Sequence, residues 1–125
     1  MATLTVSTTT DFSAALLTDI DLLDFTNTGS ATATFTALQF DNLAILDALM
    51  VEGNIFGNHI LVSGGTVDAS QWSFLDWAAA DTITLLGGPA ADIITGSSEA
   101  DTIQGAGSGD TLNGGAGGDE IRGGS

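Results

Sequence analysis

The 125-residue sequence has no cysteine, no tyrosine, one proline and, apart from a lone histidine, a single basic side chain. Without cysteine, neither a disulfide framework nor a thiolate metal site can hold a fold together. The shortage of basic residues has a larger consequence: 16 acidic residues face Arg122 alone, and the formal net charge is −15. Such a chain repels nucleic acid and anionic membrane surfaces, so neither is expected as a partner, and cations are. No apolar run approaches the ~18 residues of a membrane span. The amino terminus, MATLTVSTTTDF, has neither a basic residue nor a long apolar core, and no cleavable secretory signal is expected there. Catalytic patterns are also missing. There is no G-x-S-x-G, no H-E-x-x-H and no phosphate-cradling loop, and one arginine is too few for the acidic sugars handled by solenoid lyases and epimerases. No enzymatic activity is expected.

What the sequence does contain is apolar side chains, 43 % of the total, in a length that suits one ordinary domain. A chain of this size buries about two-thirds of its unfolded surface, which argues against wholesale disorder. Its character changes near residue 87: five of the 17 glycines precede that point and the rest follow it. Before it, TLTV (3–6), IDLLDFT (20–26), ATATFTA (31–37), HILVS (59–63) and DTITLL (81–86) alternate or are rich in β-branched residues, and Gly, Asn, Asp and Ser separate them. Short strands predict an all-β architecture. DFSAALLTDI (11–20) and DNLAILDALMV (41–51) each begin at an Asp that suits a helix cap, so a short helix is an alternative to strand or loop in both.

From Gly87 the chain reads in nines: GGPAADIIT (87–95), GSSEADTIQ (96–104), GAGSGDTLN (105–113) and GGAGGDEIR (114–122), then GGS. Glycine stands first in every unit (Gly87, Gly96, Gly105, Gly114, Gly123). Aspartate stands sixth (Asp92, Asp101, Asp110, Asp119), and an aliphatic residue eighth (Ile94, Ile103, Leu112, Ile121). Glycine permits the positive φ of tight turns, and tails such as DTI predict short strands with the aliphatic residue inward. One buried aliphatic per nine residues makes no core alone, so the units must stack.

If two units make one coil, Asp92 lies over Asp110 and Asp101 over Asp119 at the strand spacing of ~4.8 Å. Two carboxylates at that distance repel by about 1 kcal/mol in water and by roughly 3 to 4 kcal/mol at an effective dielectric near 20. A divalent cation between the turns reverses the sign. Calcium takes 6 to 8 oxygen ligands in flexible geometry, whereas zinc prefers His or Cys and magnesium a strict octahedron. The expected ligands are Asp92, Asp101, Asp110 and Asp119, with backbone carbonyls of Gly87, Gly96, Gly105, Gly107, Gly114, Gly115 and Gly117.

Residues 87–125 resemble the repeats-in-toxin (RTX) nonapeptide GGxGxDxUx, a calcium-binding β-helix repeat. The resemblance implies a parallel β-roll with calcium held in the turns by the sixth-position aspartates and turn carbonyls. It also implies a secreted bacterial protein and type I secretion, whose carboxyl-terminal signal would be expected beyond the final GGS. GGAGGD (114–119) matches the whole turn. Ala90, Glu99 and Ser108 depart from glycine at the fourth position, Ser97 and Ala106 at the second, and Pro89 stiffens the first turn. Residues 66–87 are similar to the irregular β-coils that lead into such repeats. Trp72, Phe74 and Trp77, with Phe25, Phe35, Phe40 and Phe56, would fill a wider coil stack that covers the open end of the roll. The expected fold is therefore all-β, a right-handed parallel β-solenoid in which irregular coils over 1–86 pass continuously into a β-roll over 87–125.

Other residues have plainer readings. Asp19, Asp21 and Asp24 are expected on a solvated strand face, with Ile20 and Leu22 inward, and a metal site as the alternative. Asp68, Asp76 and Asp81 are read the same way, although DTI at Asp81 echoes the repeat tail. Glu99 and Glu120 are candidate auxiliary ligands. Arg122 is expected to pair with a neighbouring carboxylate or with nothing, and His59 to make a hydrogen bond in a strand or loop. The aromatic residues are read as core, with a carbohydrate-stacking face as the alternative. Three functions follow: a calcium-stabilised structural module of an extracellular or surface protein, a module that assembles end to end through its solenoid ends, and an adhesin-like domain for a glycan or protein.

Overall fold

A computed structural model describes residues 2–41, 45–107 and 109–124. Its thirteen strands are β1 (Ala2–Val6), β2 (Thr10–Asp11), β3 (Ile20–Phe25), β4 (Ala31–Thr36), β5 (Ile45–Glu52), β6 (Asn58–Ser63), β7 (Val67–Asp68), β8 (Ser73–Leu75), β9 (Thr82–Leu86), β10 (Ile93–Thr95), β11 (Asp101–Gln104), β12 (Thr111–Asn113) and β13 (Glu120–Arg122). A one-turn helix, α1, spans Ala37–Asp41. Every strand pairing is parallel.

The strands form three open sheets, ordered β1-β3-β5-β8, β12-β10-β7 and β13-β11-β9-β6-β4-β2. Parallel neighbours need a crossover, and here each crossover passes through another sheet, so the chain alternates between sheets as it advances. The all-β, parallel expectation holds. The six-stranded sheet runs without a break across residue 87, because β9 pairs with β11 from Asp101 on Ile83 to Gln104 on Leu86.

Period-2 alternation forms these strands. In ATATFT and NHILVS every second residue is buried and the others, Thr32, Thr34, His59 and Leu61 among them, are partly exposed. The buried residues make one core, including Val6, Leu23, Phe35, Leu49, Val62, Leu85, Ile94 and Ile103. Each such side chain contributes about 1.5–3 kcal/mol by leaving water. Phe25, Phe35, Phe40 and Trp72 are buried as expected, and Phe40 stacks on Trp72 at 5.3 Å between ring centroids. Phe12, not singled out from sequence, stacks on Phe35 at 5.4 Å.

Two expectations need correction. Phe56 lies at the surface, 38 % exposed, because it falls in the turn between β5 and β6 where no facing strand covers it. Leu22 is only partly buried, and Leu23 takes the inward place. A register irregularity on both sides of β3 displaces Asp21, whose Oδ1 accepts the Ala2 N–H at 2.9 Å. No helix forms over 11–20. The second ambiguous segment is strand from Ile45, and its residues 42–44 lie outside the described residues.

Candidate metal centre

The repeat units stack as their spacing predicts. Ile94 pairs with Leu112 and Ile103 with Ile121, so two nonapeptides make one coil. Burial fades along the column: Ile94 and Ile103 are fully buried, Leu112 partly, and Ile121 is 47 % exposed.

The aspartates stack in the same register. The Asp92 N–H donates to Asp110 Oδ1, and the Asp101 N–H to Asp119 Oδ1, each at 2.9 Å and 18 residues apart. The carboxylates of the two donor residues turn back on their own units: Asp92 Oδ2 accepts the Gly88 N–H at 2.7 Å, and Asp101 Oδ2 the Ser97 N–H at 2.8 Å. The outer aspartates thus tie their coil to the preceding one, and the inner aspartates close their own turns, through backbone donors.

First-position glycines are required by space rather than by φ. Gly87, Gly96, Gly105 and Gly114 are not left-handed, which corrects the reading of positive φ at these positions. A methyl group on Gly96 would strike the Gly114 carbonyl oxygen and come within 2.6 Å of Asp101 Oδ2. On Gly105 it would meet Asp110 Oδ2 and, at 2.6 Å, the Gly123 carbonyl; on Gly87, the Gly105 carbonyl and, at 2.9 Å, Asp92 Oδ2. The same oxygen pair, one carboxylate and one carbonyl from the next coil, therefore recurs at three successive turns. Around Gly114 the nearest atoms are those of the Asp119 carboxylate. Left-handed backbone occurs instead at Ala106 (φ 72), Gly109 (φ 77), Gly115 (φ 75), Gly117 (φ 94) and Gly124 (φ 91). Gly107, Gly115 and Gly117 sit against the carbonyls of Pro89, Ser97 and Glu99, the residues one coil earlier. Ser108 lies outside the described residues.

Electrostatics at this column are unbalanced. Asp92 and Asp101 are buried, and Asp110 Oδ2 is buried with no hydrogen-bond partner among the described residues. Burial pushes the Asp101 carboxyl up from 3.8 to about 7; donors from Ser97 oppose the shift and the Asp119 charge adds to it. In the six-stranded sheet Asp101 takes the place that Ile83 takes one coil earlier, an inward position where a carboxylate is poorly hydrated. Ser97, which sequence reasoning noted only as a departure from glycine, donates its hydroxyl to Asp101 Oδ1 at 3.0 Å.

A hard cation fits these donors. All are oxygens, one is an orphaned buried carboxylate atom, and carboxylates alternate with turn carbonyls. No three acidic or His side chains converge among the described residues, so carbonyls would have to complete the coordination. Glu120 instead pairs with Arg122 at 2.6 Å, both well exposed, and His59 Nδ1 meets Thr82 Oγ1 at 2.6 Å across paired strands.

The parallel strands and stacked acidic turns define a β-roll-type metal-binding repeat. Residues 86–121 match the RTX calcium-binding nonapeptide repeat in four copies, within one residue of the register read here. No curated protein and no solved structure matches the chain.

Proposed function

We propose that the chain is a calcium-dependent structural module of a secreted bacterial protein, extracellular or on the cell surface, and not an enzyme. Its two regions form one continuous right-handed parallel β-solenoid, irregular over 1–86 and regular over 87–125. The repeats fold when external calcium reaches Asp92, Asp101, Asp110 and Asp119, and the solenoid ends are available for end-to-end assembly. The observation that carries this reading is the recurring pair of a carboxylate and a next-coil carbonyl, with Asp110 Oδ2 buried and unpartnered among the described residues. Extracellular calcium modules bind at about 0.1–1 mM, within reach of an external medium but not of cytosol. No helix among the described residues is long and apolar enough to cross a membrane.

The test is far-UV circular dichroism with light scattering while calcium is titrated into chelator-treated protein, with magnesium as control. A calcium-specific gain of β signal supports the module, and scattering that rises with it supports assembly. A spectrum indifferent to calcium sinks the reading. A second reading, an adhesin-like module, is favoured by a cavity of about 560 Å³ lined by Gly53, Asn54, Ile55, Asp76, Trp77 and Ala78. Ile55 beside it is 94 % exposed. A glycan panel tests it, with loss of any signal expected in Trp77→Ala.

A further inference from the structure

The calcium reading above raises the question of where the need for calcium stops. Asp81 makes with one carboxylate the two contacts that the repeats divide between coils: its Oδ1 accepts the Asn58 N–H at 2.8 Å, as Asp110 accepts that of Asp92, and its Oδ2 the Ala78 N–H at 2.6 Å, as Asp92 accepts that of Gly88. In the repeats the donor of the inter-coil bond is itself an aspartate, Asp92 or Asp101. Here it is a fully buried asparagine. Asn58 Nδ2 sits among three oxygens, Phe56 O at 2.9 Å, Asp81 Oδ1 at 3.2 Å and Asn54 O at 3.4 Å. Its own Oδ1 is buried without a partner among the described residues. The amide leaves its acceptor unsatisfied and keeps its donor end on the carboxylate. Turned over, it would gather four oxygens with no positive pole between them.

We propose that the Asn58 amide takes the place of a cation at this corner. The coils before residue 87 then close without calcium and present β9 as a formed strand on which the calcium-dependent repeats build. Neighbouring corners follow the same rule. Asn54 Nδ2 donates to Phe25 O at 2.9 Å and to Asn27 Oδ1 at 3.1 Å, Asn54 Oδ1 accepts the Phe56 N–H at 2.9 Å, and Asn27 Nδ2 donates to Gly29 O at 2.5 Å. An amide brings donor and acceptor together, whereas a carboxylate column only accepts.

Trp72 and Trp77 are the only tryptophans, and both precede the repeats, so their fluorescence reports that region alone. The experiment melts full-length wild type and Asn58→Asp in chelator and in calcium. Wild type in chelator is expected to keep a native tryptophan emission and a cooperative tryptophan-detected melt. N58D, which places a second carboxylate against Asp81, is expected to melt at least about 5 °C lower than wild type in chelator and to regain more than half of that shift in calcium. Denatured-like emission of the wild type in chelator overturns the proposal, as does N58D within about 2 °C of wild type without calcium. Should N58D not fold in either condition, amide exchange of wild type in chelator decides: protected β4 and β6 amides support the proposal and unprotected ones overturn it. The calcium reading of the repeats fails separately, through a far-UV signal that ignores calcium.

Discussion

Corners before residue 87 are closed by asparagines and those after it by aspartates, on a six-stranded sheet that runs through both. Asn27, Asn54 and Asn58 bond to carbonyls, to one another and to Asp81. Asp92, Asp101, Asp110 and Asp119 each accept a backbone N–H, and Asp110 Oδ2 has no partner among the described residues. Similar strand stacking thus comes with two electrostatic regimes. One pairs its carboxylate with an amide donor, and the other stacks carboxylate on carboxylate. The apolar core differs in parallel: aromatic residues pack the first region, while the second has one aliphatic per nine residues and grows more exposed toward Ile121.

The largest expected effect separates the two cores. Phe35→Ala should cost about 3–5 kcal/mol in urea titrations whether or not calcium is present. Ile103→Ala should cost about 2–5 kcal/mol in calcium and much less in chelator, where no cation offsets the stacked carboxylates around it. Equal costs of the Ile103 change in both media would break the comparison.

Glycines sharpen it next. Gly96→Ala forces a methyl group against the Gly114 carbonyl and Asp101 Oδ2, and about 1–3 kcal/mol of calcium-bound stability should be lost. Gly118→Ala meets nothing within 4 Å and is not left-handed, so it should be neutral or stabilising by about 0.4–1 kcal/mol. Calorimetry in calcium checks both.

A pH dependence follows from Asp101, whose carboxyl titrates near 7 in the folded metal-free chain and near 3.8 when exposed. Between those values the folded state holds the extra proton. This group's contribution to metal-free stability is therefore full below 3.8 and is lost as pH rises to about 7. Calcium must displace the same proton, so apparent affinity should fall up to about tenfold per unit as pH drops below 7. Isothermal titration at pH 6 and pH 8 should show this slope, and Asp101→Asn should flatten it while weakening calcium binding at pH 8.

The smallest effect is Ala106→Gly. Ala106 holds φ 72 in the second position of its unit, where the next two units carry Gly115 and Gly124 in the same conformation. Relief of left-handed strain, less the added chain entropy, should raise the melting free energy by about 0.5 kcal/mol.

Much of the second region was legible from spacing alone. A period of nine that keeps glycine, aspartate and an aliphatic residue in phase forces stacking two units per coil, and with it the Asp92–Asp110 and Asp101–Asp119 neighbours. The first region yielded its strands through period-2 alternation, but not its partners. Asn58 meets Asp81 across 23 residues with no repeat to announce it, and the bulge that turns Leu23 inward instead of Leu22 depends on strands on both sides of β3. The glycine reading shows the same limit. Sequence points to a residue without a side chain at Gly87, Gly96, Gly105 and Gly114, yet whether the reason is φ or space rests on atoms that arrive from the next coil. Local periodicity by itself determined the acidic column and the repulsion that the proposed cation would offset, because like charges stacked at strand spacing repel wherever they occur. Which corners do without that cation was decided only in the tertiary structure, because it depends on whether an amide or a second carboxylate is folded against each aspartate.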